Sequence, residues 1–137
     1  MREILFRGQM RKKGEKVRLD GTPVDGIWIY GGVTQGKWDH SIIHQTEPEI
    51  GKYPVYTDTL GQYIGRTDKH GKRIFEGDIC KNTENGKTAV VKWYEEYSSD
   101  MLYCKSENCI YWLFDVDFEK IEVIGNIHDN PELLKGE

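Results

Sequence analysis

The sequence predicts a mostly β fold, a small barrel or roll assembled from short hairpins with minor helix. Three observations carry that expectation. Fifteen glycines in 137 residues mark many bends and leave little room for long helices. The stretch from Gly61 to Lys81 sets short strand-like runs around a reverse turn, Asp68-Lys69-His70-Gly71. There an Asp can bond backbone two residues on, and a Gly follows that is free to take positive φ. Asn85-Gly86 adds the strongest short-range hairpin signal in the chain.

The elements follow in order. Glu3 to Arg7 alternates as a strand, with Ile4 and Phe6 on one face. Gly26 to Val33 is a second, rich in aromatic and β-branched residues. Trp28 and Tyr30 fall on one side and Ile27 and Ile29 on the other, an arrangement expected of burial on both faces. Trp38 to Gln45 centres a third on Ile42 and Ile43, and residues 46–54, with two prolines and a glycine, are expected to loop. Tyr63-Ile64 and Ile74-Phe75 flank the turn at Asp68, and Gly77-Asp78 re-aims the chain into Ile79-Cys80-Lys81. A two-residue loop at Asn85-Gly86 would set Cys80 opposite Val91 and Asn82 opposite Ala89, with Trp93 on the same face. Tyr94 to Ser99 is a connection or a single helical turn. Met101 to Lys105, Cys109 to Asp115 and Ile121 to Ile127 complete the strands, the last broken at Gly125-Asn126. Asn130-Pro131-Glu132 has the form of a helix start with room for about one turn. The expected core is Trp28, Tyr30, Ile74, Phe75, Val91, Trp112 and Ile124. The expected bend-forming residues are Gly61, Gly65, Asp68, Gly71, Gly77, Asp78, Asn85 and Gly86.

Three blocks in this order carry a family resemblance: MREILFRG at residues 1–8, GQYIGRTDKHGKRIFEGDI at 61–79, and IEVIGNIHDNPELL at 121–134. Between the first two, residues 26–31, GIWIYG, add a short Trp/Tyr-Gly strand. Together they resemble the YopX family of phage and prophage proteins. The resemblance implies one YopX-like domain over residues 1–137, a compact β fold likened to SH3-type barrels, and no assigned biochemical role. Residues 14–25 form an extended loop on this reading, longer than the turn that relatives show.

Composition narrows the class. No apolar run approaches the eighteen or more residues of a membrane-spanning helix, and Arg2 and Arg7 precede no apolar stretch of the kind a signal peptide needs. Three cysteines without a disulfide framework suit a reducing compartment. With the resemblance, this places the chain in the cytoplasm of a bacterial host. The net charge of −4 hides an asymmetry: residues 1–18 sum to +5 and residues 94–137 to −8. Such polarity can guide one chain onto another.

The residues offer four candidate roles: metal binding, acid–base catalysis, nucleic-acid contact and protein contact. His40 and His44 with Cys104 and Cys109 have zinc-ligating types, but the pairs stand some sixty residues apart, so no metal is assigned. Asp58, Asp68, Glu76 and Asp78 lie nearest the glycine-rich hairpin, yet Asp68 and Asp78 have turn-closing tasks of their own, and no cofactor or catalytic residue is assigned. Arg66, Lys69, Lys72 and Arg73 beside Trp93, Tyr94 and Tyr97 are the candidate macromolecule-binding residues, of types that track and stack a single strand. The acidic net charge weighs against a dedicated nucleic-acid binder. The expectation is therefore a non-enzymatic module that binds protein or assembles with itself. A single-stranded nucleic-acid binder is the alternative and an enzyme the third reading, with neither membrane nor small-molecule substrate expected.

Overall fold

The computed structural model describes residues 3–10, 27–36, 40–47 and 50–134. The expected loop over residues 14–25, the basic residues Arg2, Arg11, Lys12 and Lys13, and the starts of two expected strands at Gly26 and Trp38 lie outside the described residues. The chain divides into two compact units, residues 1–62 and 63–137, and each has its own hydrophobic cluster.

In the first unit, β1 (Phe6–Gln9), β2 (Trp28–Gln35), β3 (His40–Gln45) and β4 (Gly51–Tyr56) pair antiparallel in the order β4-β3-β2-β1. The free side of β1 takes Gly61 and Gln62, the first residues of β5 (Gly61–Thr67). Alternation along β3 buries Ser41, Ile43 and Gln45, and Ile43 packs with Ile29 and Val55 as the centre of this unit. The two faces of β2 differ: Ile29 is buried on one, while on the other Trp28 is half-buried and Tyr30 is exposed. Trp28 instead carries the buried Arg7, whose guanidinium lies 4.5 Å from the ring centroid. Four residues of the expected loop over 46–54 belong to β4. Pro54 is tolerated there because β4 is an edge strand, where a missing N–H leaves the rest of the ladder intact.

In the second unit the rest of β5 pairs with β6 (Arg73–Phe75), across a register shift that contains Gly65 at φ 84°. β7 (Asp78–Asn82), β8 (Thr88–Tyr94), β9 (Ser99–Cys104), β10 (Cys109–Trp112) and β11 (Ile121–Asn126) form an antiparallel sheet in the order β10-β9-β8-β7-β11. Ile64, Ile74, Cys80, Val91, Leu102 and Ile121 make its core. The β7–β8 connection is longer than two residues, because Asn82 N–H donates to the Lys87 carbonyl and Asn82 Oδ1 accepts from Glu84 and Asn85 N–H. Cys80 therefore faces Ala89. A shift of two residues preserves the pleat, so the face assignment is unchanged while the partners differ.

An SH3-like barrel or roll does not form. Each strand order is linear, and no pairing among the described residues joins β4 to β5 or β10 to β11. Closure needs the two edge strands of a sheet to pair, and hairpins that add strands one at a time leave those edges unpaired among the described residues. The expected minor helix is reduced to single 3-10 turns among the described residues, at Thr57–Thr59, Glu95–Tyr97, Leu113–Asp115, Phe118–Lys120 and Pro131–Leu134.

Candidate functional site

The pleat of the second sheet puts Cys80, Ala89, Leu102, Cys104, Cys109 and Tyr111 on one face. An open cavity of about 310 Å³ lies over part of this face, with Cys80, Ala89, Leu102 and Ile121 below and Lys87, Glu107, Tyr111 and Lys120 at its rim. The rim is held by a hydrogen-bonded set at the β9–β10 hairpin. Asn108 takes a left-handed conformation (φ 50°) and donates its N–H to the Lys105 carbonyl, which turns Glu107 back toward β8 and β10. Tyr111 hydroxyl donates to Glu107 Oε1 at 2.8 Å, and Lys87 Nζ donates to Oε2 at 3.0 Å.

Both titrations respond. The Tyr111 phenol, followed by Lys87 and the Cys104 thiol, holds the Glu107 carboxyl below its usual range. The carboxylate in turn pushes the Tyr111 phenol up to about 12. The neutral phenol is the form that is favoured, so this contact is complete below the ordinary value of 10.0 and is lost as pH rises through about 12. Glu107→Gln should bring Tyr111 back toward 10.0 in an ultraviolet titration of tyrosinate, with Tyr111→Phe identifying its contribution. An unchanged titration in Glu107→Gln would remove the carboxylate as the cause.

The candidate residues singled out in the sequence occupy two separate places. The basic group lies on the β5–β6 hairpin, which is tied to β11. Asp68 Oδ1 accepts from His70 and Lys72 N–H, each at 2.9 Å, Oδ2 accepts from Val123 N–H at 3.0 Å, and Lys69 N–H donates to the Ile121 carbonyl. Arg66 sits 5.4 Å over the Phe118 ring and Arg73 5.8 Å over Tyr63, while Lys72 is exposed. Asp78 is buried and accepts from Phe75 N–H at 2.8 Å, closing the bend at Gly77 (φ 91°). Gly71 and Gly86 also have positive φ, Lys87 N–H donates to Asn85 Oδ1, and Gly61 is a buried strand residue opposite Arg7.

The aromatic group lies at the far ends of β8 and β10. Trp93 is 52% exposed, Tyr94 is half-buried, and Tyr97 meets Trp112 edge-on at 5.3 Å. Trp112 stacks on Phe114 at 5.7 Å, and Phe114 is 72% exposed. Trp112 therefore belongs to a surface cluster rather than to the core, and β10 is an edge strand of its sheet among the described residues. Ile124 is half-buried. Phe114 carried no signal of its own in the sequence; its place is set by the 3-10 turn that follows β10. His44 Nε2 is engaged by Thr34 Oγ1 at 2.8 Å and the His40 ring packs on Tyr56. Among the described residues no three metal-ligating side chains converge.

Residues 25–135 match the YopX protein family. The chain belongs to the YopX family. This is a family of phage and prophage proteins without an assigned biochemical role, as the three sequence blocks implied. Among solved structures, the chain is similar to the crystal structure of the protein yopX from Bacillus subtilis, at 16% identity and a TM-score of 0.49. The match covers 100% of this chain and 99% of that one. No curated protein matches the chain. Among the described residues, no helix of this YopX-family chain is long and apolar enough to cross a membrane.

Proposed function

We propose that this YopX-family protein is a non-enzymatic binding module whose target is another protein, engaged through Tyr97, Trp112 and Phe114. The carrying observation is that Trp112 packs on both Tyr97 and Phe114, and the three rings stand exposed at the end of an edge strand. Large rings held rigid by one another present apolar area at little entropic cost, and such residues dominate interface energetics. Glu95, Glu96 and Asp115 flank the cluster and favour a basic partner surface. Single-strand binding is the weaker reading, because the basic hairpin is tied to β11 while the rings lie at the opposite edge of the sheet, across three strands.

The test compares the wild-type chain with a Trp112→Ala/Phe114→Ala variant, by sedimentation for mass above 16.0 kDa and by capture from host lysate. Losing the rings should weaken whatever association is seen by about 30-fold, the scale of a 2 kcal/mol hot spot. An association that survives in the variant, or a chain that stays monomeric and captures nothing, overturns the proposal. So does binding to single-stranded DNA or RNA that falls steeply with salt and needs Arg66, Lys72 and Arg73.

A further inference from the structure

We propose that Cys104 and Cys109 form a modification site, a dithiol that closes reversibly into a disulfide across the β9–β10 hairpin. The two are direct partners in the antiparallel register and so lie on the same face of the sheet. Facing residues of antiparallel strands have Cα atoms about 4.5–5.5 Å apart. That falls within the roughly 4.4–6.8 Å a disulfide spans. β10 is paired on one side only, so no outer strand resists the small inward movement that brings the two sulfurs into bonding distance.

Cys80 cannot compete. It faces Ala89 on β8, with Cys104 one strand further on. Two strand spacings amount to about 9.5 Å. A separation above about 7 Å is closed to a disulfide without backbone movement.

The surroundings divide the labour between the two thiols. Cys109 is exposed and meets an oxidant first, whereas Cys104 is 2% exposed, with Sγ 3.3 Å from Ser106 Oγ. With a low-molecular-weight disulfide as oxidant, Cys109 sulfur attacks one oxidant sulfur, forming a mixed disulfide and releasing one thiol with the proton. Cys104 sulfur then attacks Cys109 sulfur, the mixed bond breaks, and the second small thiol leaves with the Cys104 proton. Two protein thiols are oxidised and one small disulfide is reduced to two thiols. The new bond takes Cys104 away from Ser106 and staples the strand that carries Trp112.

The sequence supplies a direct readout, because Lys105 stands between the two cysteines. Trypsin releases residues 93–105 and 106–120, which remain joined only when the bond has formed. The full chain is treated with oxidised glutathione, and its thiols are counted in denaturant. The count should fall from three to one, the two peptides should run as one, and reduced glutathione should restore both thiols. Cys80→Ser should lose both remaining thiols, whereas Cys109→Ser should form no internal bond. The proposal is overturned by separate peptides with three intact thiols, by a mixed disulfide that persists on Cys109, or by a bond joining two chains. Oxidising a mixture of isotopically heavy and light chains tells that last case from an internal bond.

Discussion

Asp68→Ala should lower the unfolding free energy by about 3 kcal/mol, the scale of removing a buried acceptor that serves three backbone N–H groups. The side chain is 6% exposed and accepts three backbone N–H groups. Two of the bonds close its own turn, and the third reaches Val123, 55 positions away. Alanine leaves all three donors without that partner and removes the Val123 tie between the β5–β6 hairpin and β11, leaving the bond from Lys69 N–H to the Ile121 carbonyl. Asn is a partial substitute, because one oxygen can still serve His70 and Lys72 while the amide NH₂ opposes the Val123 N–H. Burial alone would raise the carboxyl pKa, but the bonds from Val123, Lys72 and His70 outweigh it and hold it below the ordinary 3.8. A depressed folded-state value gives stability that is complete above the unfolded value and is lost as pH falls through the folded one. Urea unfolding from neutral pH downward should therefore show a decline beginning below about pH 4 that is blunted in Asp68→Asn. A cost for Asp68→Ala below about 1 kcal/mol would show that water replaces the carboxylate readily.

Gly31→Ala should destabilise the first unit by about 3 kcal/mol, the upper range of overpacking costs. A Cβ built there would stand 2.2 Å from the His44 carbonyl oxygen and 2.8 Å from its carbon. The obstacle is backbone of the adjacent strand, not the flexible end of a side chain, so β2 and β3 must separate to admit a methyl. Gly32 provides the control: a Cβ there meets nothing within 4 Å, and Gly32→Ala should stay within about 0.5 kcal/mol of wild type. Denaturant midpoints for the two variants decide the matter. Equal behaviour would mean that the close approach at Gly31 relaxes without cost.

Local grammar is legible in this sequence where the responsible atoms are neighbours along the chain. Asp68 and Asn82 bond backbone within four positions, and Gly65, Gly71, Gly77 and Gly86 have φ between 76° and 91°. The strands follow from alternation, though their partners do not. Two residues of error at Asn85-Gly86 moved each partner without turning the pleat over. Neither closure nor covering is written locally. Trp28, Tyr30 and Trp112 look like core by type, but what packs on a strand face is settled by its place in the sheet. β10 is an edge strand and Trp112 on it is exposed, while Tyr30 is exposed on the face of β2 opposite the buried Ile29. The same cause separates the candidate basic and aromatic residues, because strand order is a property of the whole sheet. The Glu107–Tyr111 contact had a usable signal that was missed: a carboxylate in a four-residue turn, with a tyrosine on the returning strand.

The position of β11 has a consequence for how the second unit comes into being. β7 to β10 are joined in succession, so each pairing closes only a short span of chain. The last strand instead returns beside β7, and Ile121 from it completes the cluster of Ile64, Ile74, Cys80, Val91 and Leu102. Closing that longer span carries the larger entropic cost and comes late. During synthesis, the nascent meander waits with its apolar side open until residues near position 121 have emerged from the ribosome.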